Sequence, residues 1–394
     1  MDSGRVRLLL AESGRAVGGT ERVVWELATR LSPRRYQVCV WLSTSPGVDE
    51  LAAALAGRGI EVERMPEVES RWDWGRMLAT WRRLRRLRPS LLHVHHVWPS
   101  ADRYLHPIAR AAGVPHLVVT EHIVGHPNSG VQRTLKRAEL DGADAVTAVC
   151  GAVAESLARD YGVPRERLRV VPNGAEPADE SAEWPEARAI RERMGIGLFR
   201  PLWVCPARLE EQKGHAVLLE ALARLRERPL DFVAALAGDG SLREPLERRA
   251  EALGIASRVR FLGQVEAIGP LLLAADVVVL PSRWEGLPLS MLEAMARGRP
   301  VVASAVGGIP EAIEDRVHGR LVPPDDPGAL ADALEELHGR VDTARQMGAR
   351  GAERVRQRYT WARVVEAFEA VYDDVLGMAS FSPAADPGAP GAGR

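Results

Sequence analysis

Short apolar runs alternate with longer amphipathic segments along most of the chain. VRLLLA (6–11) and YQVCVWLS (36–43) are two such runs, and between them ERVVWELATRL (21–31) has apolar residues three or four positions apart. Apolar runs of this length are typical of strands buried on both faces, and the wider spacing is typical of helices. The alternation therefore predicts an α/β fold with parallel strands and crossover helices.

The same alternation continues through both halves of the chain. Further strands are predicted in the first half at 91–97, 116–122, 145–150 and 168–174, and in the second half at 202–207, 232–238, 259–265, 276–282, 300–304 and 319–324. Between the halves, residues 176–195 are polar, acidic and contain proline, which is typical of a connection between domains. The pattern predicts two doubly wound domains.

The segment after the second set of strands has a different character. YTWARVVEAFEAVYDDVL (359–376) is strongly amphipathic, and a stretch rich in proline, glycine and alanine follows it. We expect a long helix and then a disordered tail. The predicted organisation is a first domain at 1–177, a second domain at 178–358, a C-terminal helix at 359–378 and a tail at 379–394.

Composition agrees with a folded protein of more than one domain. The chain has 394 residues, of which 46% are hydrophobic and 27% charged, and its formal net charge is -1. This charge balance argues against a nucleic-acid-binding protein. The three cysteines show no CxxC spacing, and no run approaches the roughly 20 apolar residues of a membrane span. The sequence predicts a cytoplasmic protein.

Two acidic residues stand out in PSRWEGLPLSMLEAMARGRPVVAS (281–304), which follows a predicted strand. Glu285 lies in the loop, and Glu293 lies inside the helix that comes next. The backbone N–H groups of Gly286 and Leu287, just before that helix, form a site for an anion between the two acids. Taken alone, Glu285 is better interpreted as a solvated loop carboxylate, and Glu293 as a partner of the helix dipole.

Basic and glycine-rich loops follow other predicted strands. Arg208 and Lys213 bracket the loop in ARLEEQKGHAVLLEAL, and Gly18 and Gly19 directly precede the first helix. Open α/β sheets bind ligands at the carboxyl ends of their strands, where these loops lie. Fixed positive charge there suits a phosphate group. Surface charge and a plain turn are the alternatives.

Histidines lie at strand ends in the first half of the chain. His122 ends the predicted strand in VTEH, where its side chain can enter the cleft. In HVHHV, alternation along a strand places His93 and His95 on one face and His96 on the other, so these residues do not predict a metal site. Asn173 is interpreted as part of a turn at the end of the first domain.

Taken together, the motifs resemble the retaining glycosyltransferases of family 4. GGTE, TEH, VPNG, ARLxxxKG, GDG, VxFLGxV and E-x7-E occur in the family's order over roughly residues 6 to 376. The resemblance implies the GT-B fold, in which two Rossmann-like domains face a cleft and the C-terminal helix packs back on the first. Ala207 stands where the family usually has glycine. No GxGxxG motif supports a nicotinamide oxidoreductase.

The resemblance also implies an activity. A sugar would be transferred from a UDP- or GDP-sugar to a hydroxyl of a glycan, lipid-linked or small-molecule acceptor, with retention of configuration. The first domain would bind the acceptor and the second the nucleotide sugar, with no metal and no cofactor. The alternatives are a catalytically silent regulatory protein that binds sugar nucleotides, and a GT-B sugar-nucleotide epimerase.

Charged and polar side chains receive roles by matching the family's motifs. Arg208 and Lys213 would hold the donor diphosphate and stabilise the leaving group. Glu293 would bind the ribose hydroxyls, and Glu285 the hydroxyls of the transferred sugar. His122 would contact that sugar as charge develops at its anomeric carbon.

Backbone contacts are implied at five further positions. Gly286 and Leu287 would offer amides to the phosphates or the sugar. Gly18 and Gly19 would face the reaction centre from the first domain. Gly263 would border the base.

A Trp- and Arg-rich segment, WDWGRMLATWRRLRRLRP (72–89), lies in the predicted acceptor domain. We expect an ordinary crossover helix with its tryptophans in the core. The alternative is peripheral contact with the inner face of an anionic membrane, where a lipid-linked acceptor would lie.

Overall fold

The strands form two separate parallel sheets in the computed structural model, which describes residues 4–68, 70–96, 102–125, 129–197 and 200–378. The first sheet contains β1 (Val6–Glu12), β2 (Tyr36–Leu42), β3 (Glu61–Arg64), β4 (Leu91–His96), β5 (His116–Glu121), β6 (Ala145–Ala148) and β7 (Leu168–Val170). Its order is β3-β2-β1-β4-β5-β6-β7. The order reverses beside β1, which creates the crevice where such sheets bind ligands.

The second sheet repeats this topology. It contains β8 (Leu202–Pro206), β9 (Val233–Ala237), β10 (Val259–Gly263), β11 (Val277–Leu280), β12 (Val301–Ser304) and β13 (Gly319–Val322). Its order is β10-β9-β8-β11-β12-β13, so the reversal lies beside β8. The loops after β8 and β11 therefore meet at one edge.

Helices cover both faces of each sheet. In the first half they are α1 (Gly19–Arg30), α2 (Asp49–Gly57), α3 (Trp74–Leu87), α4 (Leu105–Ala111), α5 (Gly130–Asp141) and α6 (Gly151–Tyr161). The others are α7 (Glu180–Arg193), α8 (His215–Arg226), α9 (Arg243–Ala252), α10 (Ile268–Ala274), α11 (Leu289–Ala296), α12 (Ile309–Ala312), α13 (Pro327–Gly339), α14 (Val341–Arg358) and α15 (Trp361–Leu376). None of the described helices is both long and apolar enough to cross a bilayer.

Strand β1 shows why the predicted runs are continuously apolar. Leu8 and Leu10 pack into the core on one face of the sheet, which also receives α15. Leu9 and Ala11 pack into a different core on the other face. Since successive side chains point to opposite faces, a strand covered on both sides needs apolar residues at every position.

Helix α15 belongs to the first domain by packing. Phe368 and Tyr372 lie in the same core as β1 and β2. The Tyr372 hydroxyl lies 2.7 Å from Nδ1 of His93 on β4. The prediction that the C-terminal helix packs back on the first domain is confirmed. The predicted tail at 379–394 lies outside the described residues.

The structure adds detail to one expectation about local structure and contradicts another. Most of the segment 176–195, predicted as a connection between domains, is helix α7, and Arg297 of the second domain pairs with its Glu183 at 2.6 Å. Trp72 and Trp74, which were expected in the core, expose 69% and 68% of their surface. Trp81 is partly buried and donates to the Ala111 carbonyl at 3.1 Å.

Candidate active site

Glu285 lies buried in the loop between β11 and α11. Ser282 Oγ donates to Glu285 Oε1 at 2.8 Å, and Lys213 Nζ lies 2.6 Å from the same oxygen. Gln212 also fixes this loop, because its side-chain amide donates to the Trp284 carbonyl at 2.9 Å. The carboxylate is therefore fixed in place and neutralised by a cation from the neighbouring loop.

Lys213 reaches this carboxylate because the loops after β8 and β11 are in direct contact. A short 3-10 turn, Glu211–Lys213, ends at Gly214, whose φ is +65°. A Cβ on Gly214 would lie 1.9 Å from the Pro281 carbonyl oxygen. Glycine is thus required there both by backbone conformation and by the close approach of the loop.

Glu293 lies one turn into α11, whose first residue follows Pro288. No side chain caps the start of this helix, so its first N–H groups are available to a ligand. Burial raises the pKa of Glu293, and the charges of Arg297 and Arg22 oppose that shift. The carboxyl group lies where it can accept or donate hydrogen bonds with hydroxyl groups.

The start of α1 faces these loops from the first domain. A Cβ on Gly19 would lie 3.8 Å from Leu289 Cδ1 at the start of α11. The Gly18 N–H donates to Glu21 Oε2 at 2.9 Å. The charge of the exposed Arg208 lowers the pKa of Glu21 against the larger effect of burial. Gly18, Gly19 and Arg208 therefore border the same cleft.

Glu21 forms a buried acidic pair with Glu12, which sequence reasoning did not select. Burial raises the pKa of both carboxyl groups, and their mutual interaction raises that of Glu12 further. The Gly14 N–H donates to Glu12 Oε1. Two buried carboxyl groups in contact cannot both be ionised at low cost, so this arrangement favours a proton shared within the pair. The position of Glu12 at the end of β1 was the available signal.

His122 lies where the two domains touch. The next residue, Ile123, pairs in antiparallel fashion with Gly286, and a Cβ on Gly286 would lie 1.9 Å from the His122 carbonyl oxygen. The His122 ring contacts His95 through a 3.0 Å nitrogen pair. Burial lowers the pKa of His122 to about 4, so the ring is neutral at neutral pH.

Two further interdomain contacts lie around the loop that holds Gly286. Asn173, interpreted from sequence as a simple turn residue, is buried and donates from Nδ2 to the Leu287 carbonyl at 2.7 Å. Glu311 accepts from the backbone N–H groups of Gly151 and Ala152, each at 2.8 Å. The interpretation of Asn173 was wrong, and Glu311 was missed, because nothing local in the sequence signals a partner in the other domain.

Gly263 ends β10 at the far side of the second sheet's crevice. Its φ is +69°, and it pairs with Gly238 in an isolated bridge. A Cβ on Gly238 would lie 2.1 Å from the Ala207 carbonyl oxygen, which places both glycines beside the loop of Arg208. The Ala207 N–H donates to the Ala237 carbonyl at 3.0 Å, so the alanine fits the strand-end geometry.

The strand histidines lie on opposite faces, as alternation predicted. His93 bonds to Tyr372 and, through Nε2, to Thr120 at 2.7 Å, and its ring contacts the tilted ring of His95 at 4.0 Å between centroids. His96 points to the other face and stacks on His106. The three do not converge on one point.

Comparison with known proteins identifies relatives over both domains. The profile described as Glycosyltransferase Family 4 matches residues 17–179, and the one described as Glycosyl transferases group 1 matches residues 200–340. The GDP-mannose-dependent alpha-(1-6)-phosphatidylinositol monomannoside mannosyltransferase of Mycolicibacterium smegmatis is 36% identical over 65% of this chain and 70% of its own. Alpha-D-kanosaminyltransferase of Streptomyces kanamyceticus is 30% identical over 77% of this chain and 83% of its own.

A solved structure has the same architecture. Anabaena Alr3699/HepE, crystallised with UDP, superposes with a TM-score of 0.79 over 94% of this chain and 100% of its own, at 21% identity. The predicted GT-B fold, with two Rossmann-like domains around a cleft, is confirmed. At 21% sequence identity, the similarity between the two structures shows a shared fold.

Proposed function

Since the chain belongs to glycosyltransferase family 4, we propose that it transfers a sugar from a nucleotide diphosphate sugar to a hydroxyl group, with retention of configuration. One observation carries the proposal. The partly buried Lys213–Glu285 pair, at 2.6 Å, lies at the strand ends of the second domain beside the uncapped start of α11. It offers a cation for phosphate and a fixed carboxylate for sugar hydroxyls in one place.

The leaving diphosphate is the main charge that the site must stabilise. When the bond between the anomeric carbon and the phosphate oxygen breaks, negative charge develops on the diphosphate. Arg208, Lys213 and the N–H groups at the start of α11 would stabilise this charge. Donors that are already oriented stabilise a developing anion strongly where water is excluded. Fixed positive charge takes the role at the diphosphate that a metal ion has in other transferases, so we propose transfer without a metal there.

Retention follows if the acceptor attacks from the face that the diphosphate leaves. The acceptor oxygen then bonds to the anomeric carbon, and its proton passes to the departing phosphate oxygen. No side chain forms a bond to the sugar in this scheme, and Glu285 serves only to bind hydroxyls. Neutral His122, near the domain contact, would face the sugar without adding to its developing positive charge.

Glu293 would bind the ribose hydroxyls of the nucleotide, so a Glu293 variant should lose nucleotide binding. Its half-buried position on α11 lies beyond the phosphate site along the helix axis. Gly263, at the end of β10, would border the base. The names of the relatives point to GDP-mannose in one case, and a structural neighbour binds UDP, so the donor would be a UDP- or GDP-sugar.

The acceptor would bind to the first domain. A relative at 36% identity acts on a phosphatidylinositol mannoside, which supports a lipid-linked acceptor here. The segment around α3 supports this further, because exposed Trp72 and Trp74 lie at its start and a run of arginines that ends at Arg88 lies at its other end. Aromatic and basic side chains together favour an anionic membrane surface. We propose a cytoplasmic enzyme that contacts the inner face of the membrane peripherally.

Thermal unfolding tests the donor site. UDP, GDP, ADP and their sugar conjugates are added to the chain, since a ligand that binds only the folded state raises Tm. One nucleotide class should raise Tm in the wild type and fail to do so in Glu293→Gln. Glu251→Gln, an exposed acid on α9, is the matched control and should behave as wild type.

A transfer assay with the same donor then separates the alternatives. Labelled sugar should appear in an acceptor with its anomeric configuration unchanged. Binding without transfer to membrane lipids, glycans or small hydroxyl compounds would instead favour a silent sugar-nucleotide-binding protein. Conversion of the donor sugar without an acceptor would favour an epimerase.

A further inference from the structure

Three buried side chains converge in the first domain, outside the donor site. His96 ends β4, His106 lies on α4 and Glu139 lies on α5, and each is almost fully buried. Glu139 Oε1 lies 3.0 Å from His96 Nε2 and 3.7 Å from His106 Nε2. Three chain segments that are far apart in sequence thus present one ligand-type atom each to a common point.

The outer nitrogens of both rings have partners that turn Nε2 toward this point. His96 Nδ1 lies 2.7 Å from Glu121 Oε1, and His106 Nδ1 lies 3.4 Å from the Glu139 backbone carbonyl. In each case Nδ1–H can donate outward, so that Nε2 is offered to a metal ion once it gives up any proton it carries. Metal-binding histidines in proteins are oriented in this way by a carboxylate or a carbonyl.

The inner atoms are close together but are not hydrogen-bonded. His96 Nε2, His106 Nε2 and Glu139 Oε1 are all buried, and none makes a hydrogen bond of acceptable geometry to the residues that the structure describes. Buried polar atoms are nearly always bonded. His96 Nε2 and Glu139 Oε1 lie within ion-pair distance at 3.0 Å, and a cation between them would also give His106 Nε2 a partner.

We propose that His96, His106 and Glu139 bind one divalent transition-metal ion of the zinc class. Zinc takes histidine nitrogen and carboxylate oxygen at about 2.0–2.2 Å, which separates tetrahedral ligand atoms by about 3.3–3.5 Å. The observed separations of 3.0 and 3.7 Å lie on either side of that value. This proposal departs from the sequence prediction, which tested only His93, His95 and His96 and found no metal site.

Lys136 sets the charge around this site. Its Nζ lies 2.6 Å from Glu121 Oε1, 2.9 Å from His96 Nδ1 and 3.2 Å from Glu139 Oε2. Because the Glu121 carboxylate is nearer to His96 Nδ1 than Lys136 is and carries the negative charge, it is the acceptor for both groups. The positive charge of Lys136 thus compensates the negative charge of Glu121. The Glu139 carboxylate can then bind the metal ion with its own negative charge.

The ion would be structural. It would tie β4, α4 and α5 together directly beside Glu121, the residue that precedes His122 at the end of β5. Zinc sites that stabilise structure are four-coordinate, so a small fourth ligand such as water would complete these three. The ion would lie outside the proposed diphosphate site. The inference does not depend on the proposed transfer reaction.

Cobalt provides the direct test, because Co²⁺ replaces zinc and absorbs visible light intensely in tetrahedral sites. The full chain is stripped with a chelator and titrated with Co²⁺, and Zn²⁺ is then added. We expect a visible band that saturates with one ion per chain and disappears as Zn²⁺ displaces Co²⁺. Each metal should also raise Tm.

Variants assign the band to these residues. His106→Ala and Glu139→Gln should each weaken Co²⁺ binding by at least about 100-fold, since even loss of an outer partner costs 10–100-fold. His116→Ala, at the opposite end of β5, should bind as wild type. If wild-type protein gives no band and no rise in Tm with either metal, the cluster is an ion-pair network and the proposal is overturned. An unchanged band in folded His106→Ala would overturn it equally.

Discussion

Lys213 Nζ lies 2.6 Å from Glu285 Oε1, although the two residues are 72 positions apart in the chain. The pair joins the loops after β8 and β11 at the reversal of the second sheet. The Lys213 side chain exposes 18% of its surface and that of Glu285 6%. A lysine in this position contributes to stability as well as to charge, which the alternative interpretation of simple surface charge does not include.

Replacement of Lys213 by alanine should therefore affect both activity and stability. Loss of one preorganised donor to a developing anion lowers kcat by about 10²–10³-fold. A buried carboxylate that loses its partner destabilises the fold by about 3–5 kcal/mol. The loss should be smaller here, because the pair reaches the surface and solvent screens its charges. Steady-state kinetics and urea denaturation measure the two effects separately.

The double variant Lys213→Met/Glu285→Gln serves as the control for that experiment. It removes both charges, so most of the lost stability should return while turnover stays low. Recovery of turnover in the double variant, or wild-type kinetics in Lys213→Ala, would remove Lys213 from the site.

Gly286→Ala should disturb the contact between the domains. The added Cβ would lie 1.9 Å from the His122 carbonyl oxygen, which is backbone and cannot turn away. We expect the cleft to open and kcat to fall about 100-fold, since a displacement of about 1 Å can have that effect. Small-angle X-ray scattering should show a larger radius of gyration. Gly57→Ala, where a Cβ meets nothing within 4 Å, is the control, and equal behaviour of the two variants would contradict the prediction.

His215 makes stability depend on pH. It is buried at the start of α8, and burial, followed by the charge of Lys213, lowers its pKa to about 4. In the unfolded chain the imidazole takes up a proton near pH 6.5, but in the folded chain it stays neutral down to about pH 4. As the pH is lowered from about 6.5 to about 4, the free energy of unfolding should thus fall by about 1.4 kcal/mol per pH unit through this residue alone.

Urea denaturation of His215→Leu between pH 7 and pH 5 measures this contribution. The variant keeps the other buried histidines, including His93 and His122. The plot of unfolding free energy against pH should therefore become less steep by the contribution of one proton. Identical slopes for variant and wild type would show that His215 is protonated in the folded state or solvated.

Trp72 and Trp74, at the start of α3, should determine membrane binding. Trp72→Ser/Trp74→Ser removes two exposed rings, and binding to vesicles that contain anionic lipid should weaken by roughly tenfold or more. Trp184→Ser, which removes a 47% exposed ring on α7 of the second domain, is the matched control. Flotation of vesicles with bound protein gives the comparison. Equal binding by both variants would exclude α3 as the contact surface.

The buried strands could be predicted from the sequence because burial on both faces leaves a continuous apolar run. Strand β3 (Glu61–Arg64) was missed for the opposite reason. Its sequence, EVER, lies at the sheet edge and is mostly charged, which protects an edge strand but conceals it. Helix α7 was missed because its polar surface and Pro185 resemble a linker.

The loops of the candidate site could also be predicted, since they follow strands at the edge where α/β sheets bind ligands. What could not be predicted is which polar residues meet across the cleft or inside the first domain. Asn173 reaches Leu287 over 114 positions, and Glu139 pairs with His96, which lies on a different element of the first domain. Such meetings depend on tertiary packing, which local periodicity does not encode.

The place of α15 in the first domain has a consequence for biosynthesis. Residues Trp361–Leu376 leave the ribosome only after the whole second domain, yet Phe368 and Tyr372 complete the core around β1 and β2. Strands β8 to β13 and their helices form a continuous stretch that can fold as it emerges. The first domain, although it is translated first, must wait with an uncovered apolar face until its last helix arrives.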